Sequence, residues 1–160
     1  MGQIFPLRFA PMDPIAGKDR YLACYRDAWT VAHGSLAGFS ECSAWIAADE
    51  RLRRDPDCIL EAYLGDRFAG ILALDMRRGK WTGTGWIVLC FLVGELRGMG
   101  LGRQLIDKAA DCFRSAGRRR LRLTVAPKNP ALGFYEHLGF RRVGTEPGAQ
   151  EDLLVMERTI

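Results

Sequence analysis

Apolar residues recur along this chain in two rhythms, and the rhythms divide it into elements. Over residues 16–32, Tyr21, Cys24, Tyr25, Ala28, Trp29 and Ala32 return at intervals of three and four, which predicts an amphipathic helix. A loop bounded by Gly34 and Gly38 follows, and Ser40 or Ser43 can cap a second helix reaching about Arg53, stopped before Pro56. Ahead of these helices, Ile4–Ala10 reads as a short strand closed by Pro11 and Pro14. Cys58–Leu64 and Phe68–Met76 read as two strands joined by the turn Gly65-Asp66-Arg67. Trp86–Val93 is apolar without alternation, the pattern of a central strand covered on both faces.

Beyond it the pattern alternates again between strand and helix. A glycine-rich turn over Glu95–Gly102 opens a helix whose stripe is Leu101, Leu105, Ile106, Ala109, Ala110 and Phe113, ended by Gly117. Leu121, Leu123 and Val125 alternate as a strand, and Asn129–Leu138 is a helix with Pro130 in its first turn and Gly139 after it. Phe140–Val143 and Asp152–Met156 read as closing strands. The order β-α-α-β-β-β-α-β-α-β-β predicts one α/β domain (α+β, with a mixed sheet) spanning residues 1–160.

Composition narrows the class. The 160 residues are 48% hydrophobic and 26% charged, the balance of an ordinary globular domain that buries its own core. No apolar run is long enough to span a bilayer; Trp81–Gly94 is too short and too rich in glycine. The opening MGQIFPLRFA has neither the basic nor the apolar region of a signal peptide, and Pro6 stands where a myristoylation signal has Ser or Thr. Five cysteines (24, 42, 58, 90, 112), none closer than sixteen residues to the next, predict reduced thiols in a cytoplasmic protein and exclude a Cys-x-x-Cys metal or redox site. The net charge of +4 is concentrated: residues 95–128 hold nine basic and three acidic groups, residues 1–94 are neutral, and residues 129–160 are net −2. A local positive field of this kind suits a phosphate-bearing partner, either a small ligand or a nucleic acid.

The sharpest local signal is Arg97-Gly98-Met99-Gly100-Leu101-Gly102, between a buried strand and a helix. Its glycines let backbone N–H groups approach a ligand closely, and the helix start adds unpaired donors and the positive end of the dipole. Two familiar phosphate motifs fail on it. A Walker loop needs Gly-Lys-Ser/Thr where Arg103-Gln104 stand, and Gly-x-Gly-x-x-Gly places Arg103 or Leu105 at its third glycine.

Strand Trp86–Val93, the turn Arg97–Gly102, and Ala131-Leu-Gly-Phe-Tyr135-Glu-His-Leu-Gly139-Phe140 together resemble the GNAT superfamily of N-acetyltransferases. The turn is similar to its Arg/Gln-x-x-Gly-x-Gly/Ala acyl-CoA signature, and the later segment to its Tyr-Glu-x-Leu-Gly-Phe. The resemblance implies a GNAT-like fold with splayed central strands. It implies acetyl-CoA as cosubstrate and no metal, with the pyrophosphate on the backbone of Arg97, Gly98, Met99, Gly100, Leu101, Gly102 and Arg103. The pantetheine would pair with Cys90, Phe91 and Leu92, beside Leu121–Val125, and Arg97, Arg103 and Lys128 would stand near the phosphates. Tyr135, alone a half-buried packing residue, becomes the implied proton donor to the departing thiolate. The implied reaction is direct attack, in a ternary complex, by a primary amine of a small molecule or a protein.

Two departures stand out. The family's Asn lies seven residues before this tyrosine; here Lys128 is at that place and Asn129 one later. Many members carry a Glu on the central strand as base, and Trp81–Val93 has no Glu, Asp or His. Asp75, Glu61 and His33 are candidates without a compelling claim, and a water chain is the alternative. Cys90 has no visible His or Asp partner, against a covalent route. Trp29 and Phe39 would flank an acceptor pocket if the Gly34–Gly38 loop lines it. The run Gly117-Arg-Arg-Arg-Leu-Arg122 is the best sign of a competing nucleic-acid-binding module, but it lacks interleaved aromatics and runs into a strand. A CoA-binding regulatory domain is the other alternative. The expected partners are an amine acceptor and, by resemblance, a second copy in a homodimer, with neither nucleic acid nor membrane.

Overall fold

The computed structural model describes residues 5–160, so Ile4 of the first expected strand lies outside the described residues. The elements are β1 (Arg8–Pro11), α1 (Lys18–His33), α2 (Glu41–Arg54), β2 (Ile59–Leu64), β3 (Arg67–Asp75), β4 (Thr84–Leu92), α3 (Leu101–Ser115), β5 (Arg120–Val125), α4 (Leu132–His137), β6 (Arg141–Glu146) and β7 (Leu153–Thr159). Single 3-10 turns at Lys80–Thr82 and Gly94–Leu96 flank β4. The order of helices and strands is the one read from the sequence. No helix among the described residues is long and apolar enough to cross a membrane.

Several boundaries move for identifiable reasons. β1 starts only at Arg8, because the amide of Leu7 donates to Gln104 Oε1 at 2.7 Å instead of joining the ladder. Ser40 is the cap of α2, its hydroxyl accepting from the Ser43 amide at 3.1 Å. α4 loses its first three expected residues because Asn129 Oδ1 accepts from the Ala131 amide at 2.9 Å, which makes an Asx turn there. β7 runs on to Thr159 because its partner dictates it: Arg120–Val125 pair with Thr159–Leu154 throughout, whatever the polarity of Glu157 and Arg158.

The seven strands form one mixed sheet in the order β1-β2-β3-β4-β5-β7-β6. One face packs on α3: Ile87, Leu121, Leu123 and Met156 of the sheet meet Leu105, Ile106, Ala109 and Phe113. The other face, over β2–β4, packs on α1 and α2 through Ile59, Ile71, Leu89 and Phe91 against Tyr21, Leu22, Ala48 and Leu52. β4 therefore contributes to both cores, as its uninterrupted apolar run predicts.

β4 also carries the defining irregularity. Its pairing with β3 jumps from Ala73↔Leu89 to Leu74↔Ile87, leaving Val88 as an extra residue in a bulge. Its parallel pairing with β5 is confined to Thr84↔Arg120, Gly85↔Leu121 and Trp86↔Arg122. Beyond Trp86, next to the bulge, the two strands part, and Ile87–Leu92 have no partner on that side. Gly85 lies where this short pairing meets α3: a Cβ there would sit 2.2 Å from the ring of the fully buried Phe113. Gly85→Ala is expected to cost about 1–3 kcal/mol by overpacking, read as a drop in Tm of about 2–4 °C per kcal/mol; an unchanged Tm would show that Phe113 has room to yield.

Candidate active site

The gap between β4 and β5 opens into a cleft of about 620 Å³. Its walls bring together ten of the twelve residues singled out in the sequence: Cys90, Phe91, Leu92, Arg97, Gly98, Gly100, Gly102, Arg103, Asn129 and Tyr135. Met99 and Leu101 do not line it. Met99 is 55% exposed on the outside of the turn, and Leu101 is 3% exposed, its side chain committed to the α3 core, so only their backbones belong to the turn. Lys128 is also absent from the lining. The sequence reading did not assign to the site Ala28 and Val31 of α1 or Phe134 and His137 of α4, which with Leu105, Pro130, Ala131 and Leu138 complete the walls. For α1, the signal was the spacing of three that carries the stripe residue Ala28 on to Val31.

The turn is shaped by its glycines. Gly98 and Gly100 have φ of 77° and 78°, a left-handed conformation that strains any side chain. Gly100 caps α3 without a side-chain acceptor, so the first-turn N–H groups of this 15-residue helix are left for a ligand. Gly102 has a different duty: a Cβ there would lie 3.0 Å from the Phe134 ring, so its absence lets α4 close against the start of α3. Arg97 donates from Nε to the Leu92 carbonyl at 2.9 Å, tying the turn to the end of β4. The lining contains two arginines and a histidine and no carboxylate. It suits a phosphate. A separate depression of about 500 Å³ beside the C-terminal ends of α2 and α3 is lined by Asp55, Asp57 and Asp111 together with Arg54 and Lys108, and lacks such a turn.

Cys90 and Tyr135 both line the cleft, close enough for each to shift the other. Burial pushes the Cys90 thiol up to about 12, with the Tyr135 hydroxyl acting weakly against that shift. Burial also raises the Tyr135 hydroxyl well above its ordinary value, and the neighbouring Cys90 adds to it. Both groups hold their protons through the neutral range.

The candidate bases lie elsewhere. Glu61 on β2 accepts from Arg20 Nη1 at 2.7 Å, two strands away from β4. Asp75 Oδ1 accepts from the amides of Arg77 and Arg78, and its other oxygen lies 3.8 Å from Arg51. The His33 ring rests on Trp29 at 4.6 Å between centroids, and its Nδ1 is buried without a partner. Trp29 and Phe39 do pack together, at 5.6 Å, with the Trp29 indole donating to the Ala37 carbonyl. Gln150, from the β6–β7 loop, donates to the same carbonyl. Among the described residues no group of three His, Cys, Asp or Glu side chains is placed to hold a metal ion.

Residues 19–140 match the model of the acetyltransferase (GNAT) family. The chain belongs to this family. Over 90 residues it is 34% identical to N-alpha-acetyltransferase 30 of Schizosaccharomyces pombe, a match covering 54% of this chain and 59% of that protein. The chain thus spans a little over half the length of that relative. In structure it is similar to Ard1 from Thermoplasma volcanium (TM-score 0.72, 19% identity, 96% and 97% of the two chains covered). It is also similar to the PaiA N-acetyltransferase from Thermoplasma acidophilum in complex with coenzyme A (TM-score 0.71, 18% identity, 96% and 99% covered). At these identities the structural likeness is one of fold.

The raised pKa of Cys90 gives a direct check on the site's chemistry. With thiolate forming only toward pH 12, Cys90 is expected to stay unmodified by iodoacetamide at pH 8 while the exposed Cys42 is alkylated. Peptide mapping by mass spectrometry reads both sites, and early labelling of Cys90 would contradict the buried neutral thiol.

Proposed function

We propose that this GNAT-family chain is an N-acetyltransferase that moves acetyl from acetyl-CoA to a primary amine, with a protein α-amine as the favoured acceptor class. The observation that carries the reading is the cleft itself, where a half-unpaired central strand, an uncapped helix start behind left-handed glycines, and Tyr135 converge. The acceptor class is supported by the relative named for Nα-acetylation. That the fold-alike PaiA enzyme was obtained with coenzyme A supports the cosubstrate.

In this reading the backbone N–H groups of Gly98–Arg103 hold the pyrophosphate, with Arg103 alongside. The free side of β4 at Cys90–Leu92 offers amide donors and acceptors to the pantetheine, as a strand edge does to an added strand. Asn129 serves from the far wall, where its side-chain carbonyl already fixes the entry to α4. The cosubstrate supplies the thioester. Cys90 is a poor nucleophile, being protonated and paired with a tyrosine rather than a base, so the amine attacks directly in a ternary complex. Tyr135 keeps its proton through the neutral range and donates it as negative charge develops on the departing sulfur; sulfur is the weaker base, so the transfer is completed by the acidic proton left on the acylated nitrogen, which restores the hydroxyl.

An acceptor panel read by CoA release with a thiol reagent tests the activity. Tyr135→Phe is expected to lower kcat about 100-fold, in the range of general-acid contributions, with the Kd for CoA changed less than about threefold. An unchanged kcat would remove the acid role. CoA binding without release on any amine would favour the regulatory reading.

A further inference from the structure

The central strand has no acidic residue, yet β7 places one outside the cleft's own lining, in register with the closed end of the β4–β5 gap. β4 and β5 are parallel, paired at their beginnings and open at their ends, so the gap is widest beside the glycine turn and narrowest at Trp86–Arg122. A cosubstrate anchored by its pyrophosphate at the wide end sends its acyl end toward the narrow one. The α3 face of the gap is filled by Ile87, Leu121 and Leu123. The acceptor must therefore arrive from the opposite face, where Trp86, Arg122 and Glu157 stand side by side as register partners on β4, β5 and β7.

Glu157 is 7% exposed, and one of its carboxylate oxygens accepts from Arg122 Nε at 2.7 Å. The other carboxylates of that face are committed. Glu146 accepts from Arg78 Nη2 at 2.6 Å, with the Arg78 guanidinium stacked 3.4 Å from the Trp86 ring centroid, and Asp75 is folded onto backbone amides of the next turn. Arg141 is the register partner of Glu157 on its far side. Arg122 fixes one oxygen of Glu157 in direction and leaves the second for an incoming cation.

We propose that Glu157 receives the acceptor's ammonium group and takes its first proton, directly or through one water, with Arg122 as the positioning residue. This rests on the acetyl-transfer reading above. The ammonium gives one proton to the Glu157 carboxylate, and the freed amine forms the C–N bond at the thioester carbon. The C–S bond breaks, sulfur takes the Tyr135 proton, and the remaining surplus proton on nitrogen restores the Tyr135 hydroxyl. Glu157 then loses its proton to solvent. The sum is an amide, the CoA thiol and one proton.

The test compares an acceptor amine that turns over with the hydrazide of the same scaffold, whose nitrogen is already unprotonated at neutral pH. For Glu157→Gln, kcat/KM on the amine is expected to fall about 100-fold and on the hydrazide less than about threefold, with CoA affinity unchanged and Glu157→Asp restoring part of the loss. Equal losses on both acceptors, or none, overturn the proposal. If Glu157→Gln fails to fold, Glu157→Asp is expected to show the same split at smaller size, and equal losses there overturn it as well. Absence of CoA release by the unaltered protein with every amine overturns the acetyl-transfer reading and this inference with it. Turnover by the unaltered protein without the split overturns this inference alone.

Discussion

The architecture hangs on a parallel pairing that is allowed to fail. β4 and β5 hold only three register pairs before they diverge, although each strand continues well past the last of them. In a folded domain, unpaired strand amides at the centre of a sheet are costly unless something satisfies them. Here the bulge at Val88 turns β4 away from β5, β3 holds the other side of β4 on through Leu92, and β7 holds β5 through Val125. Each diverging strand thus keeps one paired side. The open sides are left to face the cleft, and the glycine turn and α4 are placed at its mouth.

Five of the nine basic residues of 95–128 fall into two groups by their contacts. Arg118 is buried and donates to the carbonyls of Thr84 and Met76; Arg120 donates to the carbonyl of Thr82, and Arg122 pairs with Glu157. These arginines cap the beginning of β4 and hold the narrow end of the gap together, so the run that suggested a nucleic-acid surface is largely internal bracing. Arg97 and Arg103, by contrast, line the cleft. Charge density along the sequence could not separate bracing from binding, because both uses need the same residue type and differ only in what lies opposite.

That limit also marks what was legible in the sequence. Element order, the α3 stripe and the glycine turn were readable because each is a local pattern: a period, a cap, a dipeptide requiring left-handed backbone. Ten of the twelve chosen residues share one cleft, and the two that leave it show why backbone and side chain must be assigned separately. Leu101 carries the turn with its backbone and the core with its side chain. What stayed hidden was non-local. The Val88 bulge has no composition signal, since an extra valine in an apolar strand looks like one more core residue. The length of β7 came from its partner, and the Glu157–Arg122 pair joins residues 35 apart in sequence with nothing between them to announce it.

The pairing of Cys90 with Tyr135 then constrains the chemistry that the cleft can host. A site meant for covalent acyl transfer through cysteine lowers the thiol's pKa with a base or a positive helix end. This one raises both neighbouring groups by burial and makes each a donor. Burial disfavours negative charge on either residue, with the Tyr135 hydroxyl opposing this only weakly at Cys90, and two protonated groups in one cleft can both donate to a third atom that becomes negative between them. Sulfur leaving a thioester is an atom of that kind. In the proposed reaction the same desolvation that silences Cys90 as a nucleophile keeps Tyr135 protonated until the leaving group needs it, so the pair selects direct transfer by suppressing its competitor. The proton of the acceptor must then leave by another route, and on the face opposite α3 the chain places a buried carboxylate, braced by an arginine, at the closed end of the same gap.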